Sequence, residues 1–225
     1  SGAMRGVYRA IHQVAASNAT VLIRGESGTG KELVAHALHY ASPRSNQPFV
    51  KVNCAALNEN LLESELFGHE KGAFTDAETE RPGLIENAST GTLLLDAVDE
   101  CSPALQASLL RFLESGVYRR VAGEEERVAD VRIVACSGVV GDDSNIRDDL
   151  YYRLAGFRAW LPPLRERPED ALMIVEKGLS AATAHTPTLL PDAQALLLSH
   201  SWPGNGWEAI HLASRINASG HEIVD

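Results

Sequence analysis

The stretch Val21-Leu22-Ile23-Arg24-Gly25-Glu26-Ser27-Gly28-Thr29-Gly30-Lys31-Glu32 constrains this chain more than any other. A short apolar run rich in β-branched residues reads as a strand. A glycine-rich turn follows, then Lys31, then Leu33, Val34, Ala37 and Leu38 at helical spacing. Strand, loop and helix in that order, with Gly25 and Gly30-Lys31 at this separation, make a phosphate-binding loop. The backbone must curl tightly there, and a Cβ would hold its N–H groups away from phosphate oxygens. The next helix points its positive end at the same place, and Lys31 adds a full charge. A plain glycine turn would not need the flanking strand and helix. A dinucleotide-binding turn fits worse, because Leu33 stands where its third glycine should be. The Ser or Thr that binds Mg²⁺ in the general pattern is Glu32 here, and its carboxylate must point away from bound phosphates. The expected ligand is a mononucleotide, held by residues 25–32.

Bulk properties narrow the class. A chain of 225 residues can form one large domain, or one domain with a small satellite. Twenty basic residues against 30 acidic ones give a net charge of −10. Such a body should not bind DNA or anionic membrane by itself, so nucleic-acid contact requires another domain or partner. Cys54, Cys101 and Cys136 show neither pairing arithmetic nor metal-ligand spacing, and read as reduced, buried thiols. No run approaches the length of a membrane span and no secretory signal is visible, so the expected location is the cytoplasm. Ser1 to Met4 reads as an expression scar.

Along the chain, helical spacing covers residues 5–14, strands are expected at 21–23 and 49–52, and residues 60–67 are amphipathic. Leu84 to Asn87 forms a short helical piece, and Gly91 to Asp96 a buried strand that ends in a carboxylate. Ser102-Pro103 opens a helix as cap and first residue. Further strands are expected at 131–136 and 157–161, with a helix at 146–154 between them. Strands alternating with helices indicate a parallel sheet of five strands covered on both faces. Past Pro163 the pattern becomes helical throughout, at 169–184, 192–199 and 207–219. The expected architecture is an α/β nucleotide-binding subdomain over 5–163, followed by a small all-helical lid over 164–225.

Asp96 follows three leucines at the carboxyl end of a strand, where ligands bind in open α/β sheets. In a phosphate-loop protein an acidic residue at this place holds the Mg²⁺ that bridges the β- and γ-phosphates. With Asp96 in view, the chain resembles the central AAA+ domain of bacterial enhancer-binding proteins, the ATPases that remodel RNA polymerase carrying sigma-54. The blocks that carry the resemblance are residues 25–32, Glu65 to Thr75, Leu150-Tyr151-Tyr152-Arg153-Leu154, Leu161 to Arg167 and Trp202-Pro203-Gly204-Asn205. They occur in family order across residues 5–225, and Glu32 is ordinary for the family. The resemblance implies an AAA+ P-loop NTPase that binds ATP or ADP with Mg²⁺ and assembles as a hexameric or heptameric ring. Arg147 and Arg153 would reach a neighbour's γ-phosphate and neutralise charge on the transferred phosphoryl group. Phe74 and Thr75 would contact sigma-54. DNA would be bound only by a helix-turn-helix domain beyond the chain's end.

Four positions depart from the family's pattern. The glutamate that follows the metal-binding aspartate and deprotonates the attacking water is Ala97, and loss of a general base costs about a hundred- to ten-thousand-fold in rate. Asp99 or Glu100 could substitute. The asparagine that senses the γ-phosphate is replaced by Gly138. The lid arginine after Trp-Pro-Gly-Asn is Trp207, whose indole has one donor and no charge. The loop that grips sigma-54 reads Gly72-Ala73-Phe74-Thr75-Asp76-Ala77, with Asp76 in place of a glycine. Together these imply a domain that binds nucleotide, hydrolyses ATP weakly or not at all, and regulates transcription through oligomerisation. One alternative is an active motor on sigma-54 polymerase. Another is a regulator independent of sigma-54 that responds to a cyclic dinucleotide, with Arg24, Arg44 and the arginines of 165–167 as ligands.

Overall fold

The apolar runs become strands, and the three central ones are sealed on both faces. In the computed structural model, which describes residues 1–75, 77–138, 145–182, 187–219 and 223–224, the strands of the main sheet are β1 (Val21–Arg24), β2 (Phe49–Asn53), β3 (Thr92–Asp96), β4 (Arg132–Ser137) and β5 (Phe157–Trp160). Their order is β2-β3-β4-β1-β5. Neighbours run parallel, with Val50 opposite Leu93, Leu94 opposite Val134 and Leu22 opposite Ala135. Leu22, Ile23, Leu93, Leu94, Leu95, Val134 and Ala135 are all fully buried, which is why these strands read as unbroken apolar runs rather than alternating ones.

Around the sheet lie α1 (Gly2–Ala15), α2 (Lys31–Tyr40), α3 (Glu59–Phe67), α4 (Leu84–Asn87), α5 (Pro103–Ser115) and α6 (Asp148–Leu154). Local chemistry sets their ends. Asn58 caps α3 by accepting from the Leu61 N–H at 3.0 Å, and Ser102 caps α5 by accepting from Leu105. Gly116 ends α5 in the left-handed conformation. Arg132, buried in β4, donates to the last carbonyls of α1, Val14 at 2.9 Å and Ala15 at 2.8 Å, and so places a cation at the negative end of that helix.

The sequence continues into α7 (Pro168–Ala182), α8 (Pro191–Ser199) and α9 (Asn205–Ser219). Within this helical region Thr188–Leu189 and Ile223–Val224 pair as a two-residue parallel ladder, too short to give a period in sequence. A second short pairing, Val117–Tyr118 with Arg127–Val128, forms a hairpin between α5 and β4.

The chain divides into two compact units. One comprises Ser1–Tyr8, Gly25–Lys31 and Trp160–Asp225; the other comprises Arg9–Arg24 and Glu32–Ala159. The first has a core of Leu164, Val175, Leu179, Trp202, Ala209 and Ala213. The second is centred on Leu22, Leu66, Ile85, Leu93, Leu95, Leu105 and Leu150. Among the described residues no helix is long and apolar enough to cross a membrane.

Candidate functional site

The glycine-rich loop leaves β1 at Arg24 and runs into α2 at Lys31. Gly28 has φ of +77°, and a Cβ there would lie 2.6 Å from the Gly204 carbonyl oxygen, so only glycine fits. Gly25 is equally tight: its Cβ would meet the Leu161 carbonyl oxygen at 2.8 Å. Lys31 folds back over the loop and donates through Nζ to the Gly25 and Glu26 carbonyls at 2.8 and 3.0 Å. A phosphate offers that ammonium a charged acceptor in place of two neutral ones, so ligand binding and release of the carbonyls go together.

Three side chains from the same unit brace the loop. Arg165 grips the Glu26 carboxylate through two nitrogens, at 2.6 and 2.9 Å. Asn205 donates to the Ser27 carbonyl at 3.0 Å and to Glu26 Oε2 at 3.1 Å, while its own oxygen accepts the Leu164 N–H. Buried Arg167 donates to the Thr29 carbonyl at 2.7 Å. The hydrogen bond from Arg165, followed by that from Asn205, holds the Glu26 carboxyl below its ordinary range. Glu26 therefore stays ionised, with its carboxylate engaged by Arg165 and Asn205. The contact of Asn205 with the loop was not readable from sequence, because 178 residues separate it from Ser27; its only signal was membership of the Trp202–Asn205 block.

The other expected residues lie in the second unit. Asp96 closes β3, partly buried, and its carbonyl accepts the Cys54 N–H at 2.8 Å. The next residue, Ala97, has φ of +55°, an uncommon left-handed position for a residue with a Cβ. A 3₁₀ turn, Val98–Glu100, follows. It carries Asp99, which is 5% exposed and whose Oδ1 has no hydrogen-bond partner. Cys54 and Cys101 are buried free thiols in mutual hydrogen bonding. That bond, burial, and the nearby Asp96 and Asp99 push the Cys54 thiol upward, so it stays protonated and unreactive. Glu32 points to Lys51 Nζ at 2.6 Å, with His36 at 3.8 Å.

Arg147 stands at the position before the first residue of α6 and makes no side-chain cap bond there; its guanidinium is clamped by Asp149 at 2.7 and 3.1 Å. Arg153 is exposed, with Glu114 at 3.8 Å. Phe74 is exposed and packs edge-on to His69, with ring centroids 4.9 Å apart; Thr75 is exposed and Asp76 lies outside the described residues. Gly138 has open space around its Cα. Arg44 is not available to a ligand. It is buried, donating to the Gly91 and Asp130 carbonyls, the Asp130 carboxylate and the Asn18 side chain, which makes it a structural tie.

A parallel sheet in this order, with a glycine-rich loop between its β1 and the helix that opens at Lys31, defines a P-loop NTPase fold of the AAA+ kind. The profile of the sigma-54 interaction domain matches residues 1–159, and the chain belongs to that family. The Nif-specific regulatory protein of Herbaspirillum seropedicae is 48% identical over 213 residues, covering 91% of this chain and 39% of that protein. Regulatory protein AtoC of Escherichia coli is 46% identical over 223 residues, covering 96% of this chain and 48% of AtoC. The chain thus spans about two fifths to a half of these relatives' length. The crystal structure of NtrX from Brucella abortus superposes with a TM-score of 0.89 at 34% identity, covering 98% of this chain and 52% of NtrX. NtrX has also been solved in complex with ADP and with ATP.

Proposed function

We propose that this domain binds ATP and ADP on the Gly25–Lys31 loop, hydrolyses ATP weakly or not at all, and acts in transcription regulation through oligomerisation. The observation that carries the reading is the contrast between an intact, braced loop and Ala97 directly after Asp96. Asp96 would hold Mg²⁺, as a hard oxygen ligand at a strand's carboxyl end. The ion would neutralise phosphate charge there, while Lys31 and the loop amides orient the phosphates. A methyl group cannot accept a proton from water, so the chemical step lacks its base. The nucleotide complexes of NtrX support the binding half of this reading. Arg147 and Arg153 would act on a neighbouring subunit's nucleotide in a ring, and Arg147 would first have to leave Asp149. Phe74 and Thr75 would face sigma-54, and DNA contact would belong to another domain of the longer protein. The cyclic-dinucleotide reading loses Arg44 to structure.

One observation favours a second reading. Asp99 presents a buried carboxylate oxygen without a partner, and could serve as the base of a working motor. Phosphate release with Ala97→Glu and Asp99→Asn, alongside nucleotide titration, separates the two. The first reading expects saturable binding, very slow wild-type turnover, at least a hundredfold gain in Ala97→Glu and no change in Asp99→Asn. Fast wild-type turnover that Asp99→Asn abolishes would replace it with the second.

A further inference from the structure

The two tryptophans around the loop are used very differently. Trp202 is fully buried, with its indole N–H donating to the Leu197 carbonyl at 3.0 Å, and it anchors the helical core. Trp207, in the first turn of α9, leaves 61% of its surface exposed. It is nonetheless not remote. The segment 204–207 lies along the loop: the Gly206 N–H donates to the Gly28 carbonyl at 2.9 Å, Asn205 holds Ser27, and Trp207 Cδ1 stands 3.0 Å from where a Gly28 Cβ would be. One edge of the indole is thus fixed against the middle of the phosphate loop while most of the ring is open. A large apolar ring kept in water beside a ligand loop becomes useful when a ligand covers it.

The neighbouring cations make the character of that contact specific. Arg165 is neutralised by Glu26, and Arg167 is buried against the Thr29 carbonyl with Asp170 at 3.7 Å. Within this unit Lys31 is the loop's own cation, and Trp207 adds none. We propose that Trp207 is a nucleotide-contacting residue, an uncharged wall against the phosphate chain with a single N–H to offer, and that it makes the site nearly indifferent to the terminal phosphate. A cation at this position would gain Coulomb energy with each added phosphate charge, whereas an indole gains none. The inference rests on the nucleotide-binding reading and goes on to specify how that site selects its ligand.

The test is titration of the protein with ATP and with ADP in Mg²⁺, read both by tryptophan fluorescence and by calorimetry, for wild type, Trp207→Phe, Trp207→Ala and Trp207→Arg. Expected are dissociation constants for ATP and ADP within about threefold of each other in wild type. The nucleotide-induced fluorescence change should disappear in Trp207→Phe, although Trp160 and Trp202 remain. Trp207→Ala should weaken both nucleotides by about fivefold or more, and Trp207→Arg should shift preference toward ATP by about tenfold. Calorimetric binding with an unchanged fluorescence signal and a Trp207→Ala affinity within twofold of wild type would overturn the role of Trp207 while leaving the site intact. A tenfold or greater wild-type preference for ATP would overturn the indifference. Absence of any calorimetric binding would instead remove the nucleotide reading beneath it.

Discussion

His39 shows how one side chain can be both a packing element and a titratable liability. It sits on α2 at 2% exposure, with Nδ1 3.0 Å from the Thr92 hydroxyl on β3 and its ring against Phe49. Burial, and then the nearby His36, push its pKa below the ordinary 6.5. A histidine depressed in the native state is a group that the unfolded chain protonates first. Stability contributed by the neutral ring is therefore whole above pH 6.5 and is lost as pH falls through that value toward the lower native one. His39→Gln keeps a hydrogen-bonding group near Thr92 but cannot titrate. Urea unfolding at pH 7.5 should find the variant about 1 kcal/mol less stable. Between pH 6.5 and 5.5 wild type should lose more stability than the variant, so the gap narrows. Parallel pH profiles for the two proteins would assign the acid sensitivity elsewhere. Ala97 and Asp99 illustrate the same scale in the site: a methyl where a base is expected, and two residues on a buried carboxylate oxygen without a partner.

At the level of elements, the first turn of α9 has the most to do with the loop's shape. Asn205 is fully buried in a left-handed conformation that asparagine tolerates, and it makes hydrogen bonds to Leu164, Ser27 and Glu26. Asn205→Ala leaves the buried Leu164 N–H without its acceptor and releases the loop, which should cost about 2–4 kcal/mol and weaken nucleotide binding. Asn205→Asp restores the acceptor for Leu164 but sets a second carboxylate beside Glu26, so it should recover part of the stability and little of the affinity. Calorimetric melting and nucleotide titration of both variants check this. The same contrast explains what could be read from sequence. Val21–Ile23, Leu93–Leu95 and Ile133–Cys136 were legible as strands because both faces are buried and the runs are continuous, and Ser102-Pro103 was legible because a cap is local chemistry. The hairpin Val117–Tyr118 with Arg127–Val128 was not, since two residues per strand establish no period. Within the site, the loop was legible from its glycines. The ties from Arg165, Arg167 and Asn205 were not, because each joins residues more than 130 positions apart. Arg44 misled for a related reason: an arginine whose partners are distant backbone carbonyls looks like any surface cation in sequence.

For the whole molecule the question is where ligand binding appears as stability. The phosphate loop belongs to the compact unit whose core is Leu164, Val175, Leu179 and Trp202, whereas the sheet has its own core around Leu93, Leu95 and Ile133. A net charge of −10 works against any polyanion, so affinity must come from local groups, above all Lys31 and the loop amides, rather than from the protein's overall field. A ligand that binds only the native state stabilises it by a logarithmic term, about 2.7 kcal/mol at a free concentration one hundred times the dissociation constant. For a chain of this size that corresponds to a rise of roughly 5–10 °C in melting temperature. ATP and ADP should each produce it when each is held at one hundred times its own dissociation constant, which removes the affinity difference from the comparison. Lys31→Ala should reduce the shift to near zero while melting within a few degrees of wild type in the absence of nucleotide, because the two carbonyl bonds it gives up join an ammonium to its own loop. Scanning calorimetry of wild type and Lys31→Ala decides the matter. A full shift in the variant would mean that the stabilising nucleotide is bound somewhere other than the Gly25–Lys31 loop, and a wild-type melt that ignores both nucleotides would mean that the loop, however well braced, holds neither.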